Sequence, residues 1–152
     1  MDMIEPLWTF AADIKVRVLI LIVLAQMVLA VRLYSEMARQ RFRAVKEGRV
    51  DKNVYKATQN EPEDVAVYSR VVTNQFEAPV LFFALIAMGF ALNVTSWLTV
   101  VLALIFVILR WVHAAEMTGA HDVLRRRRIF LRSFQVLIVM MLEFAISAML
   151  WA

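Results

Sequence analysis

Arg70, Asn74 and Glu77 stand at i, i+4 and i+7 in a run that is otherwise mostly apolar. At about 100° per residue a helix would bring all three within about 60° of one another. Arg110 and His113, at i and i+3 in another apolar run, would likewise share a face. A guanidinium, an amide, a carboxylate and an imidazole facing one another make a polar pocket, or a structural network that ties helices together. Pro79, two residues after Glu77, removes a backbone donor, so a local kink there could open such a pocket. Other chemistries have less to stand on. The spacing His113-x-x-Glu116 suits a metal, but His121 is the only other histidine, and di-iron bundles need more inward carboxylates; no metal site is expected. The chain has no cysteine, which excludes disulfides and a protein thiol nucleophile. Glu143 stands alone in the last apolar run, as a structural partner for a neighbour or as a proton or ligand group.

The elements that must position these groups are membrane helices. Hydrophobic residues make up 62% of the 152, more than a soluble domain of this size could bury. Spans are expected at 14–34, 71–92, 96–115 and 129–151, each near the ~20 helical residues that cross a bilayer core. Together they form one all-α domain over 1–152, a four-helix transmembrane bundle. Asn60, Pro62, Glu63 and Asp64 read as the start of helix two ahead of its membrane part: a capping residue, a proline in the first turn and acids at the positive end of the dipole. Trp8, Trp97 and Trp151 fall at one interface, as an aromatic belt would. Asp2 and Glu5 stand where a cleaved signal would carry basic residues, so none is expected.

Of 17 Lys and Arg, seven lie in 35–69 and five in 116–132, between spans rather than on a surface free of the membrane. That distribution argues against nucleic acid as a partner, despite the net charge of +4. It predicts cytoplasmic basic loops and non-cytoplasmic termini. Charges at membrane depth cost about 2.5–3.5 kcal/mol each, so the polar residues of spans two to four, Gln135 among them, need partners or a wet cavity.

The string Arg70-Val-Val-Thr-Asn74-Gln-Phe-Glu77-Ala-Pro79 resembles the R-x-x-x-N-x-x-E signature of the MAPEG family, the membrane-associated proteins in eicosanoid and glutathione metabolism. Arg110-Trp-Val-His113 resembles that family's R-x-x-H element, and the run Arg125, Arg126, Arg127, Arg128 falls where members carry a functional arginine. The resemblance spans nearly the whole chain. It implies a homotrimer of four-helix bundles in the lipid bilayer, with glutathione as cosubstrate and a hydrophobic small-molecule substrate. Carried over by position, Arg70, Asn74 and Glu77 would hold glutathione, and Arg39 would add a carboxylate contact. Arg110 and His113 would support the pocket, and Arg126 would stabilise the thiolate. The implied activity is that of a membrane glutathione transferase or peroxidase acting on electrophiles or lipid hydroperoxides.

One departure points to a second reading. Where glutathione-using members place tyrosine, this chain has Ala78, Trp111, Ala115 and Met117. A non-enzymatic lipid-binding or partner-organising protein on the same fold would need no such tyrosine. A small multidrug exporter fits less well, because the first span has no glutamate between Val18 and Val31.

Overall fold

The computed structural model describes the backbone of residues 5–57, 60–119 and 122–151, and the side chains of 14–56, 60–119 and 122–150. The side chains of Trp8, Asp13 and Trp151, and all of His121, lie outside these. The described residues form six helices and no strand: α1 Glu5–Lys46, α2 Val54–Ala57, α3 Glu63–Thr73, α4 Ala78–Ala91, α5 Trp97–Thr118 and α6 Val123–Trp151. Four segments are long and apolar enough to cross a membrane: α1, α3 with α4, α5, and α6. The chain is an integral, multi-pass, all-α membrane protein. Its outward apolar side chains, such as Leu21, Val28, Ile108 and Leu142, are exposed on the bundle surface, where lipid takes the place of a protein core.

The helices exceed the expected spans where charged residues had suggested loops. α6 begins at Val123 rather than near 129, so the four consecutive arginines occupy its first turns. Arginine is a good helix former, and Asp122 caps the helix: its Oδ1 accepts from the backbone N–H of Leu124 at 2.9 Å and of Arg125 at 3.0 Å. The amide of Arg125, then that of Leu124, holds the Asp122 carboxyl below the usual carboxylate range. α3 starts at Glu63 next to Pro62, as expected, but no side chain caps it. Asn60 instead adopts a left-handed φ of 61° in the preceding loop.

At the opposite end, Ser96 caps α5 in a reciprocal box with Thr99. The turn before it closes tightly: Val94 donates to the Gly89 carbonyl at 3.0 Å. A Cβ on Gly89 would meet the Thr95 methyl at 3.1 Å, so glycine permits that closeness. Lys15 reaches from α1 to the Thr95 carbonyl. Glu143 finds its partners across the bundle here, where Ser96 Oγ donates to its Oε1 at 2.6 Å and Thr99 Oγ1 at 2.9 Å.

The core divides in two along the bundle axis. One cluster holds Leu19 and Ile22 of α1, Ala78, Phe82 and Ile86 of α4, and Val100 to Val107 positions of α5, with Phe82 stacked on Phe106 at 4.9 Å. The other holds Leu29, Leu33 and Met37 of α1, Val71 and Val72 of α3, and Ala114 and Met117 of α5. Between them on each element lies a buried polar side chain: Gln26, Gln75 and Arg110.

Candidate functional site

The second span is not one kinked helix but two helices separated by residues 74–77. Pro79 accounts for the break. It has no N–H for the Gln75 carbonyl four residues back, and its ring crowds that carbonyl. In the second position of α4, where no intrahelical donor is needed, the same ring is well accommodated. The chain turns through shorter bonds, Gln75 N–H to the Val72 carbonyl and Phe76 N–H to the Thr73 carbonyl, both 2.9 Å. Arg70, Asn74 and Glu77 are thus not a stripe on continuous helix. They still meet, because the break turns them toward one cavity.

That cavity, of about 900 Å³, lies at the basic-loop end of the bundle, within the size range of small-molecule sites. Arg70, Asn74 and Glu77 line it from the second span, His113 from α5 and Arg126 from α6, with apolar Met37, Met117, Val123 and Phe130. Arg70 and Glu77 are exposed to it, and neither forms an ion pair among the described residues. A structural network that ties helices together is therefore not built through an ion pair of Glu77 with Arg70 or Arg110 among the described residues. Asn74 Nδ2 approaches Met117 Sδ at 3.5 Å, a weak acceptor that leaves most of the amide's capacity open. The His113 ring packs on Phe130, with centroids 5.6 Å apart, and neither ring nitrogen has a hydrogen-bond partner among the described residues.

Arg110 stands behind the wall rather than in it. It is fully buried, and Nη2 donates to the Asn74 carbonyl at 2.9 Å. Arg39 lies outside the cavity of its own chain, 71% exposed and paired with Glu36 at 2.6 Å. The α1 arginine that lines the cavity is Arg41. Its Nη2 meets Glu61 Oε1 at 2.5 Å and Ser69 Oγ at 3.0 Å, and its guanidinium lies over the Tyr55 ring at 5.1 Å. Glu61 and Ser69 line the cavity too, so the long loop is tied to its rim.

The four arginines at the start of α6 separate. Arg125 turns to Glu116, at 3.0 Å, and His113 and Glu116 do not pair with one another. Arg126 and Arg127 line the cavity; Arg128 does not. Arg41 and Glu61 were not singled out as site residues from the sequence, and Arg127 only as one member of the basic run. Helical phase could have separated Arg41 from Arg39 and Arg43, which fall on other faces of α1, but it does not separate Arg127 from Arg126, since both line the cavity.

With Arg41 neutralised by Glu61, the cavity keeps Arg70, Arg126 and Arg127 against Glu77, beside an apolar wall. It can take an anionic ligand with polar ends and hold an ionised group against guanidinium. The MAPEG family model matches residues 18–146, from the first span into the last. No curated protein and no solved structure matches the chain.

Proposed function

Since the chain belongs to the MAPEG family, we propose that this cavity binds glutathione and activates its thiol as thiolate against hydrophobic electrophiles or lipid hydroperoxides. Membership supports a membrane function of the glutathione- or eicosanoid-related kind. The observation that carries the finer reading is the convergence of Arg70, Asn74, Glu77, His113 and Arg126 on one cavity from three spans. In this reading the guanidinium of Arg70, the amide of Asn74 and the carboxylate of Glu77 hold the charged and polar ends of the tripeptide. Arg126 faces the sulfur. A free thiol has a pKa of about 8.5, and a fixed guanidinium lowers it toward neutrality. Arginine suits the task because it stays charged in a partly apolar site. Arg110 and His113 support the wall, and the hydrophobic substrate enters from the bilayer past Phe130 and Val123.

Calorimetry of the purified protein should show saturable glutathione binding, accompanied by a thiolate absorbance band. No heat and no band would remove glutathione from the reading. The non-enzymatic lipid-binding alternative would then lead, favoured by Met117 facing Asn74 where glutathione-using relatives carry tyrosine.

The assembly in this reading is a homotrimer, in which Arg39, unused in its own chain's cavity, can serve a neighbour's. Native mass spectrometry from mild detergent should return three times the 17.5 kDa chain mass; a monomer in every detergent would rule this out. The basic loops are read as cytoplasmic, because twelve Lys and Arg lie in them. Reporters fused at Ala152 and within 46–52 should then give opposite signals, and matching signals would overturn the topology.

A further inference from the structure

The second span presents Asn74 and Glu77 because its helix stops, and side chains replace the hydrogen bonds lost there. In a continuous helix the Val71 carbonyl would accept from the Gln75 N–H and the Asn74 carbonyl from the Ala78 N–H. Here the Gln75 side chain takes the first role, its Nε2 lying 3.4 Å from the Val71 carbonyl. Arg110 Nη2 takes the second, at 2.9 Å. Gln75 is itself held from α1: Gln26 Nε2 donates to Gln75 Oε1 at 3.0 Å. That bond uses the oxygen of Gln75 and so directs its NH₂ toward the Val71 carbonyl. The chain of contacts runs from α1 through Gln75 to the end of α3.

We propose that Gln26, which does not line the cavity, is a positioning residue: through Gln75 it fixes the break at 74–77 in the shape that turns Asn74 and Glu77 to the ligand. The inference deepens the reading of the cavity as a glutathione site and rests on it. Two observations carry it beyond a packing role. Gln26 and Gln75 are 0% and 3% exposed, and with Arg110 they form the polar layer that separates the two apolar cores. Gln26 Oε1 has no partner among the described residues. A buried amide with an unpartnered oxygen is less stable there than an apolar side chain of the same size. Stability alone does not account for this glutamine, whereas a donor needed at one position does.

Gln26→Met keeps the length of the side chain, suits the membrane interior and removes the donor. In the full-length protein in detergent it should leave Tm unchanged or raised. It should weaken glutathione binding about ten-fold by calorimetry, the scale of one lost hydrogen bond. Amide hydrogen exchange over 74–80 should quicken several-fold, with α6 unaffected. Gln75→Met should reproduce these effects, and the double variant should bind no more weakly than either single one, since all three cut the same chain. Unchanged exchange over 74–80 in Gln26→Met overturns the proposal. So does a lower Tm with unaltered affinity, the mark of a residue that only packs. If wild-type protein binds no glutathione, the glutathione reading fails separately. The exchange comparison then decides the role of Gln26: faster exchange supports the clamp and unchanged exchange refutes it.

Discussion

Arg126→Ala should lower turnover at saturating glutathione by roughly 10- to 30-fold at pH 7 and lose little at pH 9. The ceiling follows from ionisation: a thiol of pKa about 8.5 is only about 3% thiolate at pH 7. A guanidinium within a few ångströms lowers that pKa by about 1–3 units, so its removal returns most of the thiol to the neutral form. Above pH 8.5 the thiol ionises without help, and the pH–rate profile of the variant should move upward to meet the wild type. Glu77→Gln should behave differently. A charged contact to one end of the ligand acts in ground and transition states alike, so its loss should appear as roughly 10- to 100-fold weaker binding with near-normal turnover. Arg125 and Arg128 supply the controls. Arg125 is engaged with Glu116 near the surface and Arg128 does not line the cavity, so alanine at either should change turnover less than two-fold. If all three arginine variants lose activity equally, the run acts only as a membrane anchor.

Ser96→Ala should be the most destabilising polar substitution at the opposite end of the bundle, with glutathione binding untouched. Ser96 Oγ accepts from the Thr99 N–H at 3.0 Å and spends its own proton on Glu143. Thr99 Oγ1 accepts from the Ser96 N–H at 2.9 Å and donates to the same oxygen. The capping box is closed through a carboxylate at the positive end of the α5 dipole. Loss of the cap alone costs about 1–2 kcal/mol, or about 2–8 °C in Tm for a chain of this length. Glu143→Gln should be nearly neutral, because the amide oxygen can accept both hydroxyl protons just as Oε1 does. Thermal unfolding of the two variants separates a structural Glu143 from a proton-carrying one. Loss of activity in a folded Glu143→Gln protein would contradict the structural role.

Hydropathy made the bundle legible, because about 20 apolar residues in a row have few alternatives to a membrane helix. Helix ends were less so. The arginines before Ile129 read as loop on hydropathy, yet Asp122 and their own propensity make them the first turns of α6. The cavity-lining residues of the second span were legible by type and spacing, and Pro79 announced the interruption. Its extent was not, since a full break needs Arg110 and Gln75 to take over carbonyls, and those contacts join residues 36 apart in the chain or lie in side-chain orientation. Gln26 passed unnoticed because one amide barely lowers the apolar character of its run. Arg39 and Arg41 show how sharply helical phase divides one basic run. Two residues amount to about 200° of rotation, so the first points to Glu36 and the second into the cavity.

The break also sets what the protein asks of its lipid. α4 has 14 residues, about 21 Å of helix at 1.5 Å per residue, whereas a typical hydrocarbon core is about 30 Å thick. The remaining thickness has to be met by α3 and by the polar floor of the cavity, or by a bilayer that thins around this span. Such hydrophobic mismatch carries a cost that grows with each ångström. Lipids with shorter acyl chains should relieve it and bring water to Glu77, while longer chains should press hydrocarbon against the site. Vesicles graded in chain length would therefore act on ligand affinity without touching a residue of the protein, and α1, continuous over 42 residues, would span any of them.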